Sequence, residues 1–307
     1  MAYTEQTSVA TVADVIERIV SFAAANGWSL DRNDLAGDQR TATLHKGGTS
    51  DYVHIYNTTG SDLLRMRVSV GYAAGLTPAQ QPNVSDECVT VLEVGPYPKV
   101  FIFGSGDQVW ATVAIGRNAE YRSLGFGVLE KVGVYTGGTY VVGTDWGRGS
   151  RWSGFGANSG PFFSGDSSPS SGHIRVDVPI DGRENFMFNI QGDANNRART
   201  DVGGGLGGMA SVLADRADRN AFSGRSVLHP ITVYVGRTGP SVFYSPVGVV
   251  QDVRVCSLEK LAPEQEITVG SDIYKVFPVA AKRPFYPEAG NLPAASGNYG
   301  YAVRKVP

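Results

Sequence analysis

Only one stretch of the chain has the clear hydrophobic period of an α-helix, and this limits the fold more than any other feature of the sequence. Between residues 11 and 30, apolar side chains recur at i, i+3, i+4 and i+7, so they share one helical face. These side chains are Val12, Val15, Ile16, Ile19, Val20 and Ala23. Thr11 and Asp14 have the spacing of a capping box, and Asn26-Gly27 provides a helix end. We expect one amphipathic helix followed by short strands.

Glycine and proline support a β-rich chain after this helix. The 307 residues include 39 Gly and 16 Pro, while only 18% of residues are charged. Such a composition favours tight turns, close backbone contacts and few solvated helices. The length suits one large β-rich domain or two smaller ones. We favour two, and we predict an α+β, mainly β fold.

The first predicted domain, residues 1–132, is an α+β unit. Alternating segments at 40–44, 51–57 and 63–70 predict an antiparallel meander whose apolar face is covered by the helix. Further strands are predicted at 89–94, 99–103, 108–115 and 121–132. In the last of these, Gly125 and Gly127 indicate that another backbone or an aromatic ring approaches closely.

Residues 133–172 differ in composition and are predicted to be a loop or insertion rich in glycine, serine and aromatic residues. The candidate ligand or subunit contacts in this segment are Tyr135, Tyr140, Trp146, Trp152, Phe155, Phe162 and Phe163. In one interpretation the rings pack on the protein's own sheets or on a neighbouring subunit. In the other, Trp146 and Trp152 form a stacking surface for a sugar or another ligand. We favour packing, because no tight cluster of Asp, Asn and Trp marks a sugar site.

Residues 173–278 are predicted to form a second, sandwich-like β domain. Its clearest signals are the strand pairs 173–180 with 184–190 and 266–269 with 273–277. A weak helical pattern covers residues 209–220. Residues 279–307 carry several prolines without an apolar period, so we predict an extended C-terminal arm. Such an arm either lies along a neighbouring subunit or frays into solvent.

Composition also argues against several classes of protein. The net charge of −2 offers no excess of cations for phosphates, so we expect no nucleic-acid partner. No apolar run is long enough for a membrane helix, and no signal peptide is recognisable, so we expect synthesis in a cytoplasm without membrane insertion. Cys88 and Cys256 stand among apolar neighbours and are predicted to be buried free thiols.

No motif predicts catalysis, a cofactor or a metal. Gly203, Gly205 and Gly208 match the spacing of a dinucleotide-binding loop but lack the preceding apolar strand. Residues 193–197 begin like a calcium loop and then lack its glycine and glutamate. The histidines lack metal-ligand spacing and are assigned structural or surface roles; they are His45, His54, His173 and His229. Asp145, Asp166, Asp177 and Asp181 would have to converge in space to act as a glycosidase pair. We expect a protein that is not an enzyme.

Three stretches resemble poorly characterised virion structural proteins of tailed bacteriophages. The first is the helix that ends in Phe22-Ala-Ala-Ala-Asn26-Gly27-Trp28. The others are the hairpin Ile267-Thr-Val-Gly270-Ser-Asp-Ile-Tyr274-Lys-Val-Phe277-Pro278 and the terminal Gly297-Asn-Tyr-Gly-Tyr-Ala-Val-Arg304-Lys305. The resemblance covers both ends of the chain and little of its middle.

The resemblance implies a non-enzymatic virion subunit in the tail, baseplate or neck, with no catalytic residues. Its expected partners are other copies of itself and other virion proteins, and symmetric packing suits a glycine-rich β protein of low charge. The alternative is a host-receptor or glycan-binding module of the phage tail that uses the aromatic segment 135–163. A structural subunit would bury those rings against neighbours, whereas a receptor-binding module would display several of them in an open patch.

Overall fold

The predicted helix forms, and its capping box is present. In the computed structural model, strand β1 (Ala2–Val9) is followed by helix α1 (Val12–Ala25). The Thr11 hydroxyl accepts a hydrogen bond from the Asp14 amide at 3.1 Å, and the Asp14 carboxylate accepts one from the Thr11 amide at 3.1 Å. Gly27 follows the helix at φ +93°, in the left-handed region. The predicted apolar stripe is buried, as expected for a helix that covers a sheet.

The structure describes residues 1–115, 120–144, 172–177, 186–189, 198–200, 227–237, 243–279, 281–282 and 299–306. These residues are mainly β and form three antiparallel sheets. The first, the N-terminal sheet, is a meander in chain order. Its strands are β2 (Trp28–Ala36), β3 (Gln39–Lys46), β4 (Asp51–Tyr56), β5 (Leu63–Val70) and β6 (Cys88–Val91).

The other two sheets draw their strands from distant parts of the chain. The central sheet has the order β1, β7 (Tyr97–Gly104), β8 (Gln108–Ile115), β9 (Glu120–Val128), β11 (Thr136–Gly143), β12 (Gly172–Asp177) and β13 (Phe186–Asn189). The C-terminal sheet has the order β14 (Ala198–Thr200), β15 (His229–Arg237), β16 (Phe243–Ser257), β19 (Tyr299–Val306), β18 (Asp272–Pro278) and β17 (Glu266–Val269). The short β10 (Glu130–Lys131) also pairs with β16.

The central sheet lies between two hydrophobic cores. Val109, Ala111 and Val113 of β8 pack with α1 and the apolar face of the N-terminal sheet. On the opposite face, Trp110 packs with the C-terminal sheet, where its ring lies 5.2 Å from that of Tyr301. Every side chain of β8 is therefore buried. The predicted strand at 108–115 is confirmed, and both of its faces are covered.

Two predictions are wrong, because strands form in segments for which the sequence predicts irregular chain. β11 belongs to the predicted loop 133–172, yet it pairs with β9 and β12 inside the central sheet. The apolar alternation of β11 is interrupted by Gly137 and Gly138. Both glycines have positive φ, and the register shifts between Gly137 and Tyr140. β19 belongs to the predicted arm, yet it lies between β16 and β18. Only eight residues long and interrupted by Gly300, it is too short for its pattern to stand out beside the prolines that precede it.

Further predictions concern the first strands, the domain boundary and two segments in the middle of the chain. The sequence prediction assigned no strands to β1 and β2. The boundary at residue 132 stays a prediction, and strands from both sides of it pair in the central sheet. The weak helical pattern at 209–220 and the glycine motif at 203–208 lie outside the described residues.

Candidate functional site

The face of the N-terminal sheet opposite α1 carries the densest polar cluster that we find in the described residues. Side chains alternate along a strand, so Ala42, Leu44, Val53 and Ile55 face the core while their neighbours face outward. We call this second surface the outer face. It carries Thr43 and His45 on β3, Tyr52, His54 and Tyr56 on β4, and Arg65, Arg67 and Ser69 on β5.

His54 and Ser69 lie at the spacing of a base and a nucleophile. His54 Nε2 is 2.7 Å from Ser69 Oγ, and His54 Nδ1 is 3.0 Å from Thr43 Oγ1. In a hydrolase the base accepts the proton of the serine and a third group orients the base. The three side chains meet because the register places Thr43 opposite His54 and places Ser69 one strand further across the sheet.

The direction of the hydrogen bonds is opposite to that of a catalytic pair. Ser69 Oγ donates its single proton to the Gly71 carbonyl at 2.8 Å, so it accepts from His54 Nε2–H. The remaining ring nitrogen, Nδ1, then accepts from the Thr43 hydroxyl. Burial, together with the charges of Arg32 and Arg67, lowers the pKa of His54 to about 4. His54 is thus a neutral, buried, structural histidine, which confirms the structural role expected for it.

Beside this network, Tyr56, Arg65, Arg67 and Glu87 form a cluster of hydrogen bonds and ion pairs. The Tyr56 hydroxyl donates to the Glu87 carboxylate at 2.6 Å and accepts from Arg67 Nε at 2.9 Å. Arg65 pairs with the same carboxylate. Burial raises the pKa of Tyr56 to about 12, and the hydrogen bond to Glu87 acts in the same direction. This tyrosine therefore stays protonated near neutral pH, and the cluster holds β4, β5 and the segment before β6 together.

A row of half-exposed rings crosses the same face. The rings of His45 and Tyr52 lie 5.1 Å apart, and those of Tyr52 and Tyr72 lie 5.8 Å apart. His45 also pairs with Asp31 of β2 at 2.6 Å. The loop that carries Tyr72 is held by Gln81, whose side chain bonds the backbone of Ala73 and the Leu76 carbonyl. These rings brace the loop against the sheet.

The predicted aromatic contacts divide into two groups. Tyr140 is fully buried and donates to Gln108 Oε1 at 2.9 Å, so it is a core residue between two sheets. Tyr135 donates to the Val247 carbonyl at 2.8 Å and lies beneath the Lys131 ammonium. Both rings pack within the chain. The other predicted contacts, Trp146, Trp152, Phe155, Phe162 and Phe163, lie outside the described residues, so a surface made by them stays a prediction.

Strand β2, which the sequence pattern does not predict, is exposed along most of its length. It forms an edge of the N-terminal sheet, and no other described strand pairs with its free side. Leu30 is 41% exposed and Leu35 is 56% exposed, although both are large apolar residues. The segment lacks regular apolar alternation, and its only sequence signals are the helix end before it and Gly37 after it. An open strand with exposed leucines is a candidate contact surface.

The side chains that could hold a metal ion are dispersed in the described part of the chain. There, no three His, Cys, Asp or Glu side chains are arranged to hold a metal ion. Cys88 and Cys256 are buried thiols rather than a disulfide pair, as predicted, and burial raises the pKa of Cys256 to about 12. Among the described helical residues, none form a segment with the length and hydropathy required to cross a membrane.

Comparisons with known proteins add no family to these observations. No protein-family model matches the chain. A search of curated proteins finds no significant similarity. Function is therefore inferred from the contacts of the described residues and from the resemblance at the two ends of the chain.

Proposed function

We propose that the chain is a non-enzymatic structural subunit of a tailed-bacteriophage virion, located in the tail, baseplate or neck. It acts by packing against copies of itself and against other virion proteins. The protein is made in the cytoplasm of the bacterial host and is incorporated into the particle.

The observation that carries this proposal is the open edge at β2. An edge strand presents unpaired backbone N–H and C=O groups that a strand from another chain can bond. β2 is nine residues long and exposed along most of its length. A subunit of a symmetric assembly can use such an edge as one of its contacts.

The positions of the resembling segments add support. The first includes α1, and the other two include the hairpin of β17 and β18 and strand β19. β18 and β19 pair with each other, from Ile273 opposite Val306 to Pro278 opposite Gly300. Two of the three resembling segments, more than 18 residues apart in sequence, therefore belong to one continuous piece of sheet.

Particle analysis tests the proposal directly. Phage particles produced from the genome that encodes the chain would be banded by density and their proteins identified by mass spectrometry. We expect the chain in the particle band, and immunogold labelling at the tail, baseplate or neck. Recovery only from the soluble fraction of the lysate would contradict the proposal. Labelling only at the tips of tail fibres would favour a receptor-binding role instead.

A further inference from the structure

The geometry of β2 allows a partner to be named for the open edge. β2 pairs with β3 along its length, with a bulge at Asp31 between Leu30 and Arg32. After the bulge, Arg32 and Asp34 lie opposite Thr43 and Thr41 and so share the outer face. Asn33 and Leu35 lie on the other side of the strand. The guanidinium Nε of Arg32 is 2.6 Å from Asp34 Oδ2.

We propose that two copies of the chain join through β2, as antiparallel strands related by a two-fold axis that passes beside Asn33. In this arrangement Arg32 of each copy lies opposite Asp34 of the other. The inference deepens the proposed function, on which it rests, by naming a second copy as the partner. It also defines the register of the contact.

Symmetry and side-chain direction restrict the register. Directly opposite residues of an antiparallel pair lie on the same face, so the axis must pass beside a residue rather than between two. An axis at Arg32 opposes two guanidinium groups, and an axis at Asp34 opposes two carboxylates. An axis at Leu35 leaves only the last residues of the strand paired. Only the axis at Asn33 lies within the strand and creates two pairs of opposite charge, which stabilise a sheet where like charges destabilise it.

Neighbouring contacts hold this edge in place before any partner binds. The Asn33 amide donates to Glu17 of α1 at 3.1 Å and accepts from Arg40 at 2.6 Å. Arg32 donates to the Leu76 carbonyl at 3.0 Å. A strand fixed in this way loses little conformational entropy on association.

Charges and bulges on an edge strand also protect monomeric proteins from association. The protective interpretation predicts that β2 repels a second β2 and that the chain remains a monomer. The pairing interpretation depends on the order of the charges, because opposite signs two residues apart become complementary after a two-fold rotation. The exposed Leu35, on the face opposite the charges, favours a covered strand. The two interpretations predict different results when charge variants are mixed.

The test uses Arg32→Asp and Asp34→Arg in the full chain, with association followed by sedimentation velocity. We expect the wild-type chain to dimerise with rising concentration. Each variant places two like-charge pairs across the axis, so its dimer should weaken by about tenfold or more. An equimolar mixture should regain the wild-type affinity, because every Asp then faces an Arg. Mixing cannot restore the Arg32–Asp34 pair within one chain, so recovery reports only contacts between copies.

Glu130→Arg is the matched control, since it makes the same kind of charge change at an exposed position on β10. It should leave dimerisation unchanged. A wild-type chain that is monomeric at its highest soluble concentration would overturn the inference, as would a mixture that stays monomeric. Particles that contain the chain while β2 variants behave like the wild type would overturn this contact and leave the proposed function intact. If the chain dimerises through β2 but is missing from particles, the proposed function is overturned and the β2 contact stands.

Discussion

His54 is the residue at which chemistry and structure are most easily confused. Its distances to Ser69 and Thr43 resemble a catalytic arrangement, but the Gly71 carbonyl accepts the hydrogen bond of the serine hydroxyl and so sets the ring tautomer. The ring donates to the serine instead of accepting from it. A buried neutral histidine of this kind stabilises the fold only while it remains uncharged.

This leads to a pH-dependent stability. Between pH 6.5 and about 4, the unfolded chain binds a proton at His54 that the folded chain does not, so stability falls as the pH falls. When the pH is lowered from about 7.5 to about 5, we expect His54 to reduce the free energy of unfolding by about 2 kcal/mol, as measured by urea unfolding. The control is His54→Gln, which cannot titrate and should lose about 2 kcal/mol less over the same interval. Equal losses in both proteins would show that folding does not lower the pKa of His54, which would contradict its assignment as a buried neutral histidine.

Single residues were predictable where their role depends on near neighbours. The cap formed by Thr11 and Asp14 and the burial of the two cysteines follow from local sequence. The partners of His54 do not, because Thr43 and Ser69 are brought to it by the register of three strands. A register depends on long-range packing that a short sequence window does not contain.

In the strand pair of β8 and β9, a glycine on one strand leaves room for an aromatic ring on the other. Trp110 lies directly opposite Gly125, and a Cβ built on Gly125 would come within 2.6 Å of the Trp110 ring. Tyr301 packs against the same ring with centroids 5.2 Å apart. The predicted close approach of an aromatic ring at Gly125 is therefore confirmed. Gly127 similarly approaches the backbone of Asp107.

Gly125→Ala should therefore destabilise the protein. The indole cannot move freely, because it is fully buried and contacts Tyr301, so the added methyl group overpacks the core. We expect a loss of about 1–3 kcal/mol in the free energy of unfolding, measured by urea titration. Gly47→Ala is the control, since no atom lies within 4 Å of its built Cβ, and its effect should stay within about 0.5 kcal/mol. Similar stabilities for the two variants would contradict the packing argument.

Strands with a regular alternation between two turns are predictable from the sequence, whereas β2 and β11, which lack this alternation, are not. The bounds of β5, β8 and β17 agree with the segments 63–70, 108–115 and 266–269. β2 lacks alternation because its exposed edge requires no apolar face. β11 begins with two glycines of positive φ, so its apolar residues are too few to stand out.

At the scale of the whole molecule, the sheets join segments from both ends of the described chain. Phe101 of β7 contacts Phe277 of β18, with ring centroids 5.0 Å apart. Lys99 pairs with Glu264 at 2.6 Å, and the Tyr121 hydroxyl donates to the same carboxylate at 2.9 Å. The C-terminal sheet is thus packed onto the central sheet by a core with polar contacts at its border.

A chain ending at residue 298 should fail to fold cooperatively. It would lose β19, whose Tyr301, Ala302 and Val303 are fully buried, together with the pairing of β16 and β18 through it. Burial of each large apolar side chain contributes about 1.5–3 kcal/mol, against a total stability of about 5–15 kcal/mol. Loss of near-ultraviolet circular dichroism and of a sharp melting transition would support this. A chain ending at Lys305 should retain both, and a cooperative transition in the shorter chain would contradict the role given to β19.

The position of β19 in the sheet also determines when the C-terminal sheet can be completed during synthesis. A ribosome translates β16 and β18 before it reaches residues 299–306, and β19 lies between these two strands in the sheet. Until β19 emerges, β16 and β18 lack the strand that pairs with both of them, and their core lacks the buried Tyr301, Ala302 and Val303. The nascent chain therefore passes through a period in which the C-terminal sheet is vulnerable to aggregation and open to chaperones.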